Sequence, residues 1–125
     1  MSPKRKKLVK KLDTIFSKYI RLRDGRSVLS GSTDNLNCSH IFSRVSYSTR
    51  WDEENAFAMT SGENLRHEYD AYYIHEWFIN KYGKDKFDFL HAKWSKTTKF
   101  SDFDLEIMID LFKQKISTLE KRGSA

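Results

Sequence analysis

The chain of 125 residues has a single cysteine, Cys38. A lone thiol closes no intramolecular disulfide, builds no cysteine cage for zinc, and suits a reducing cytoplasm. No stretch approaches the roughly 18 apolar residues needed to span a bilayer, and no apolar signal core follows the basic N-terminus. A cytoplasmic chain with no membrane partner is therefore expected. Internal repeats and low-complexity tracts are also missing. Only 38% of the residues are hydrophobic, yet 14% are aromatic, which implies one small core held by large rings.

What is present is positive charge, unevenly placed. Lys and Arg number 23 against 17 Asp and Glu, a net charge of +6. Residues 1–26 hold ten of the basic residues (Lys4, Arg5, Lys6, Lys7, Lys10, Lys11, Lys18, Arg21, Arg23 and Arg26) and only Asp13 and Asp24 against them. The remainder is close to neutral. A basic segment on a neutral body favours a polyanion, because neutralising phosphates releases counterions.

Apolar positions Leu8, Leu12, Ile15, Phe16, Tyr19 and Ile20 recur at three- and four-residue intervals, which predicts a helix over 8–23 that Asp24-Gly25 ends. Residues 26–37 are rich in Ser, Asn and Gly and read as a strand or knuckle followed by turns. A short strand at 38–42, a polar loop at 43–54 and a return strand at 55–59 follow. A helix from Glu63 or Asn64 to Tyr82 would bury a stripe of Leu65, Tyr69, Tyr72, Tyr73, Trp77, Phe78 and Tyr82. A short helix at 84–96 and a last one capped by Ser101, with Leu105, Met108, Ile109, Phe112, Ile116 and Leu119 inward, complete the chain. The class is α+β with helix in excess. Its divisions are a basic arm (1–7), a core (8–83), a helical extension (84–121) and a tail (122–125).

Of the four histidines, His40, His67, His75 and His91, His40 has the most suggestive setting. It ends an apolar-flanked strand before a loop carrying Arg44 and Arg50. Phosphodiester hydrolysis needs a base for water, a cation for the charge that builds on phosphate and leaving oxygen, and a frame that fixes both.

The run LDTIFSKYIRLRDG, then CSHIFSR, STRWDEENAFAMTSGENLRHEY and INKYG resembles the NinG/Rap family of lambdoid-phage recombination endonucleases. These are HNH-like (ββα-metal) enzymes that cut branched DNA. The resemblance covers about residues 12–83. It implies a β-hairpin-and-helix nuclease core, a bacterial host cytoplasm, and junction DNA as partner. Cutting two strands in step implies a homodimer, although no dimer interface is legible. His40 falls on the general base, Arg44 on the arginine of the family's GHF-x-SR motif, and Arg50 and Asn55 on its TRW-D-x-x-N segment. There the Asn is expected to hydrogen-bond the loop backbone. Asn64 falls on a metal-ligand position of similar junction resolvases of the endonuclease VII type, and His67, one helical turn on, could join it. From their place in the loop after His40, Arg44 and Arg50 are expected to clamp phosphate, with Lys4, Arg5, Lys6, Lys7, Arg21 and Arg23 as further DNA-binding candidates.

Two departures stand out. The family's two zinc-binding C-x-x-C pairs are here Ser27, Ser30, Thr60 and Glu63, a poor donor set for Zn²⁺, so no structural zinc is expected and hydrogen bonding or packing is expected to replace it. Gly31 suggests that the tight knuckle survives. The residue before the base, often a metal ligand in HNH sites, is Ser39. That leaves the first ligand open, with Asn64, His67, Ser39, Asn37 and Asp52 as candidates for one Mg²⁺ or Mn²⁺. The acidic run Asp52-Glu53-Glu54 reads as a solvated loop face ahead of a two-metal site. The competing function is a DNA-binding or interaction protein on a decayed nuclease fold; a purely structural helical protein leaves the polar segment 37–64 unexplained.

Overall fold

A computed structural model describes residues 1–123. The order is α1 (Pro3–Asp24), β1 (Leu36–His40), α2 (Tyr47–Arg50), β2 (Ala56–Thr60), α3 (Ser61–Tyr69), α4 (Ala71–Tyr82), α5 (Lys84–Trp94) and α6 (Asp102–Gly123). The chain is α+β and helix-rich, its two-stranded antiparallel hairpin flanked by N- and C-terminal helices. Among the described residues no helix is long and apolar enough to cross a membrane.

Helix α1 begins earlier than the apolar spacing alone predicts. The Ser2 hydroxyl accepts from the Arg5 N–H at 3.1 Å and Pro3 stands at the first helical position, a favourable start because proline lacks the N–H a first turn cannot use. Lys4 to Lys7 are therefore helical rather than a separate arm. Gly25, at φ 72°, closes the helix by donating to the Arg21 carbonyl.

The hairpin separates two cores. On one side Leu12, Phe16 and Ile20 of α1 interleave with Leu105, Ile109, Phe112 and Ile116 of α6, together with Ala56 and Trp51. Helix α6 thus supplies half of a core rather than extending from one. A reciprocal cap starts it, with Asp104 N–H donating to the Ser101 hydroxyl and Ser101 N–H to the Asp104 carboxylate. On the other side Phe57 and Met59 of β2 meet Ile41, Phe42, Ile74, Phe78 and Leu90. Covered on both faces, β2 is buried from Ala56 to Met59, and each large side chain so removed from water contributes about 1.5–3 kcal/mol. The register pairs Cys38 with Ala58 and His40 with Ala56.

The single helix expected over 64–82 is two. The chain breaks at Asp70 (φ −137°, ψ 68°), and the change of direction lets Ile74 and Phe78 reach the hairpin while α3 buries no residue. Consequently Leu65, Tyr69 and Tyr72 are 51%, 76% and 74% exposed, not core. Residues 43–54 include the one-turn α2, and Ser124 and Ala125 of the expected tail lie outside the described residues.

The acidic run 52–54 is solvated at Glu54, half-buried at Asp52 and Glu53, and among the described residues not grouped for metal. Lys93 of α5 pairs with Asp52, Lys115 of α6 with Glu53, and Lys86 of α5 with Glu54. Each carboxylate ties the loop to a C-terminal helix.

Candidate functional site

The end of β1, α1 and the helices α3 and α4 enclose a cavity of about 690 Å³. Its lining includes Asp13, Phe16, His40, Arg44, Asn64, His67, Glu68 and His75. The imidazole of His40 lies over the Phe16 ring, centroids 6.1 Å apart. Its Nε2 is 2.8 Å from the Arg50 carbonyl oxygen. A carbonyl only accepts, so Nε2 carries the proton and Nδ1 is the ring's remaining lone pair. Burial holds the His40 pKa below the ordinary imidazole value, the Arg44 charge adding to it, against the opposing pull of the Arg50 carbonyl and Asp13. The ring is neutral near pH 7 and can accept a proton.

Asn55 explains how the loop holds this carbonyl. Fully buried, its side chain accepts from the Phe42 N–H at 2.9 Å and donates to the carbonyls of Phe42 at 3.0 Å and Thr49 at 3.1 Å. The expected backbone contact is present, and it spans the loop that presents Arg50.

Arg50 is committed otherwise than expected. Its guanidinium grips Asp13 through Nε at 3.0 Å and Nη2 at 2.6 Å, and Asp13 also accepts from the Trp51 indole N–H at 2.9 Å. A bidentate pair of this kind leaves little of the fork for a phosphate. Arg23 is likewise spent, on Asp24 and the carbonyls of Glu53 and Ala56. Lys4 and Arg5 pair with Glu106 and Asp102 of α6. Lys6, Lys7, Arg21 and Arg44 are exposed. Lys6 and Lys10 border a second depression of about 410 Å³ that shares Asp13 and Arg44 with the cavity. A groove therefore runs along α1 past Arg44 to His40.

The metal candidates divide. Asn64 and His67 line the cavity. Ser39 is 1% exposed, its hydroxyl has no hydrogen-bond partner, and it does not line the cavity; strand alternation turns it to the face opposite His40. Asn37 does not line it either, and Asp52 is held by Lys93 and the Glu54 N–H. His67 uses Nε2 on the His40 carbonyl at 2.8 Å, and its Nδ1 is buried without a partner. Among the described residues no group of three His, Cys, Asp or Glu could hold a metal ion. Glu68, which the sequence did not single out, lines the cavity one helical turn from Asn64. Two protein oxygens suit a hard divalent ion that keeps its waters and takes phosphate oxygens, and do not suit a closed cage.

The four positions mapped onto zinc ligands converge on one carboxylate. Glu63 Oε1 accepts from the Ser27 hydroxyl at 2.6 Å and from the Thr60 N–H at 2.8 Å, while the Thr60 hydroxyl accepts from the Glu63 N–H at 3.2 Å. The Ser30 hydroxyl also bonds Glu63. Burial pushes the Glu63 pKa upward, but these hydrogen bonds outweigh it and hold the carboxyl below its usual range. The knuckle beneath is tight: Gly31, at φ 77°, donates to the Ser27 carbonyl, and the Ser27 hydroxyl accepts from the N–H groups of Leu29 and Ser30.

No protein-family model, curated protein or solved structure matches this chain at a significant level of similarity.

Proposed function

We propose that the chain is a metal-dependent DNA endonuclease of the ββα-metal type, acting on branched or recombination-intermediate DNA with His40 as general base. The observation that carries this reading is the His40 ring. It lines the cavity, it is neutral, and one nitrogen is pinned to the Arg50 carbonyl so that the other keeps a free lone pair. The order β1, β2, α3, with His40, Asn55 and Asn64 on or beside successive elements, supports a ββα core. The meeting of the Ser27–Ser30 turn with the Thr60–Glu63 capping box across the hairpin supports descent from a zinc-stapled ancestor.

In this mechanism Nδ1 of His40 takes a proton from water as the water oxygen bonds to phosphorus and the leaving sugar oxygen departs. The Phe16 ring keeps bulk water from one face of the imidazole. Arg44, exposed where the two depressions meet, draws the scissile phosphate in, and Lys6, Lys10 and Arg21 follow the backbone along α1 without reading sequence. Asn64 and Glu68 are the residues that would hold one Mg²⁺ or Mn²⁺, which when bound neutralises charge on the phosphate and leaving oxygen. Arg50 acts through its carbonyl and its grip on Asp13, not as a clamp. Two such chains would cut the two strands of a junction in step.

The second reading, a junction-binding protein that does not cut, is favoured by the absence of a three-residue metal group among the described residues. Incubating the protein with a four-way junction and a linear duplex, with Mg²⁺, Mn²⁺ or EDTA, separates the two. Cutting that needs metal and is lost in His40→Ala supports the enzyme. Tight junction binding without cutting under any metal moves the assignment to the second reading.

A further inference from the structure

Three histidines surround the point where the chain leaves β1, and each commits Nε2 to a main-chain carbonyl. His40 donates to Arg50 at 2.8 Å, His67 of α3 to His40 itself at 2.8 Å, and His75 of α4 to Ile41 at 2.9 Å. The last two carbonyls are consecutive. With only two strands in the sheet, the free side of β1 has no neighbouring strand to satisfy its carbonyls. His67 does so for the His40 carbonyl, and His75 satisfies the Ile41 carbonyl just past the end of the strand.

The inner side of the same turn is also tied. The Ile41 N–H donates to the Asn55 carbonyl at 2.8 Å, and the Phe42 N–H to the Asn55 side chain. The histidine donors are themselves wedged. The His75 ring lies 5.0 Å from Phe42 and 5.1 Å from Phe87, and His67 meets His75 edge to face at 5.9 Å. Both rings supply their donor from a packed position, and His67 does so although its own Nδ1 is left buried and unpaired.

We infer that His67 and His75 are positioning residues for His40: by donating to the carbonyl oxygens of His40 and Ile41 they fix the main chain that carries the base. This rests on the endonuclease reading above. It also gives His67 a role other than the metal ligand its spacing suggested, since Nε2 is occupied and Nδ1 is buried.

Phe at either position keeps the ring and its packing but removes the donor; Gln keeps a donor at similar reach. For His67→Phe and His75→Phe, single-turnover cutting of a four-way junction is expected to fall about tenfold each, and about a hundredfold together, the range that supporting groups command. Junction affinity should stay within about twofold, and His67→Gln and His75→Gln should restore most of the rate. In parallel, ring-nitrogen NMR of His40 should show a single Nε2-protonated tautomer in the wild type and in the Gln variants, and a mixture in the double Phe variant. Phe variants that cut at the wild-type rate overturn the clamp, as does a rate loss that Gln leaves unrepaired. If the wild type cuts no DNA with any metal, the endonuclease reading fails, and the tautomer spectrum alone decides the clamp: one unchanged tautomer in the double Phe variant overturns it, a mixture upholds it.

Discussion

The Glu63 knuckle and the His40 cleft lie at opposite ends of the hairpin and treat polar groups in opposite ways. Around Glu63 the hydroxyls of Ser27 and Ser30 and the Thr60 N–H are matched to a single carboxylate. Beside His40 or its partners in the chain stand the three buried side-chain atoms without a partner among the described residues: the Ser39 and Thr49 hydroxyls, whose residues do not line the cavity, and His67 Nδ1. Ser39 precedes His40, Thr49 precedes the residue whose carbonyl holds its ring, and His67 binds its carbonyl. Saturation suits a staple, whose only task is to hold. Unmet polar groups cost stability and persist where chemistry or a ligand uses the surroundings. One end of the hairpin stabilises; the other, on the endonuclease reading proposed above, would act.

Four changes should sharpen or break that contrast. The largest effect is expected from putting cysteine at Ser27, Ser30, Thr60 and Glu63 together. If the four side chains converge as described, the variant should bind one Zn²⁺ per chain and become metal-dependent in folding, structural zinc sites supplying on the order of 10 kcal/mol. Cobalt substitution, read by its tetrahedral absorption bands, checks this, and a variant that binds no metal would show that the four positions do not form a knuckle.

Asn55→Ala comes next. It strands the N–H and carbonyl of Phe42 and the carbonyl of Thr49, so a loss of about 3 kcal/mol is expected in urea unfolding, with slower cutting by the molecules that remain folded. Glu63→Ala should cost about 2 kcal/mol, the value of a charged hydrogen-bonded cap, and leave the cutting rate per folded molecule unchanged. Acid offers the same test without mutation. Because the Glu63 carboxyl is held below its usual range in the fold, its contribution is complete above the unfolded-chain carboxylate value and disappears as pH falls through the lower folded value. A melting curve that loses this acid-dependent part in Glu63→Ala confirms the origin.

The smallest effect concerns binding alone. Replacing Lys6 and Lys10 with Ala should reduce the slope of log affinity against log salt by about two, one for each lost phosphate contact, with the cutting step unaltered. Arg23→Ala should show no such change in slope, because its guanidinium is bound inside the protein.

How much of this could be read from residues alone depended on whether the cause was local. The amphipathic spacing of α1 and α6 is a local signal, and the residues it selects, from Leu12 to Ile20 and from Leu105 to Ile116, do form one core. The position of His40 at the end of a strand was legible for the same reason, whereas the backbone contacts of Asn55 were expected only from the family resemblance. The break at Asp70 was not. The aromatic spacing of Leu65, Tyr69, Tyr72 and Tyr73 continues through it, and only the hairpin's demand for Ile74 and Phe78 turns the chain. The partners of Arg50 and the acidic run, and the carbonyls of Glu53 and Ala56 that hold Arg23, were invisible because each lies far away in the sequence. His75 and Glu68 escaped notice because what marks them, a main-chain carbonyl and a shared cavity, is tertiary.

The most direct measurement compares the two ends of the hairpin in one assay. Single-turnover cutting of a four-way junction in Mg²⁺ would be followed for the wild type, His40→Ala and Glu63→Ala, with each rate corrected for the fraction folded. The expected result is a loss of a hundredfold or more per folded molecule in His40→Ala, about what general-base catalysis contributes, with Glu63→Ala within about twofold of the wild type despite its lower melting temperature. Equal rates in wild type and His40→Ala, or a loss of cutting in folded Glu63→Ala as deep as that in His40→Ala, would contradict the division between a staple that holds and a cleft that cuts.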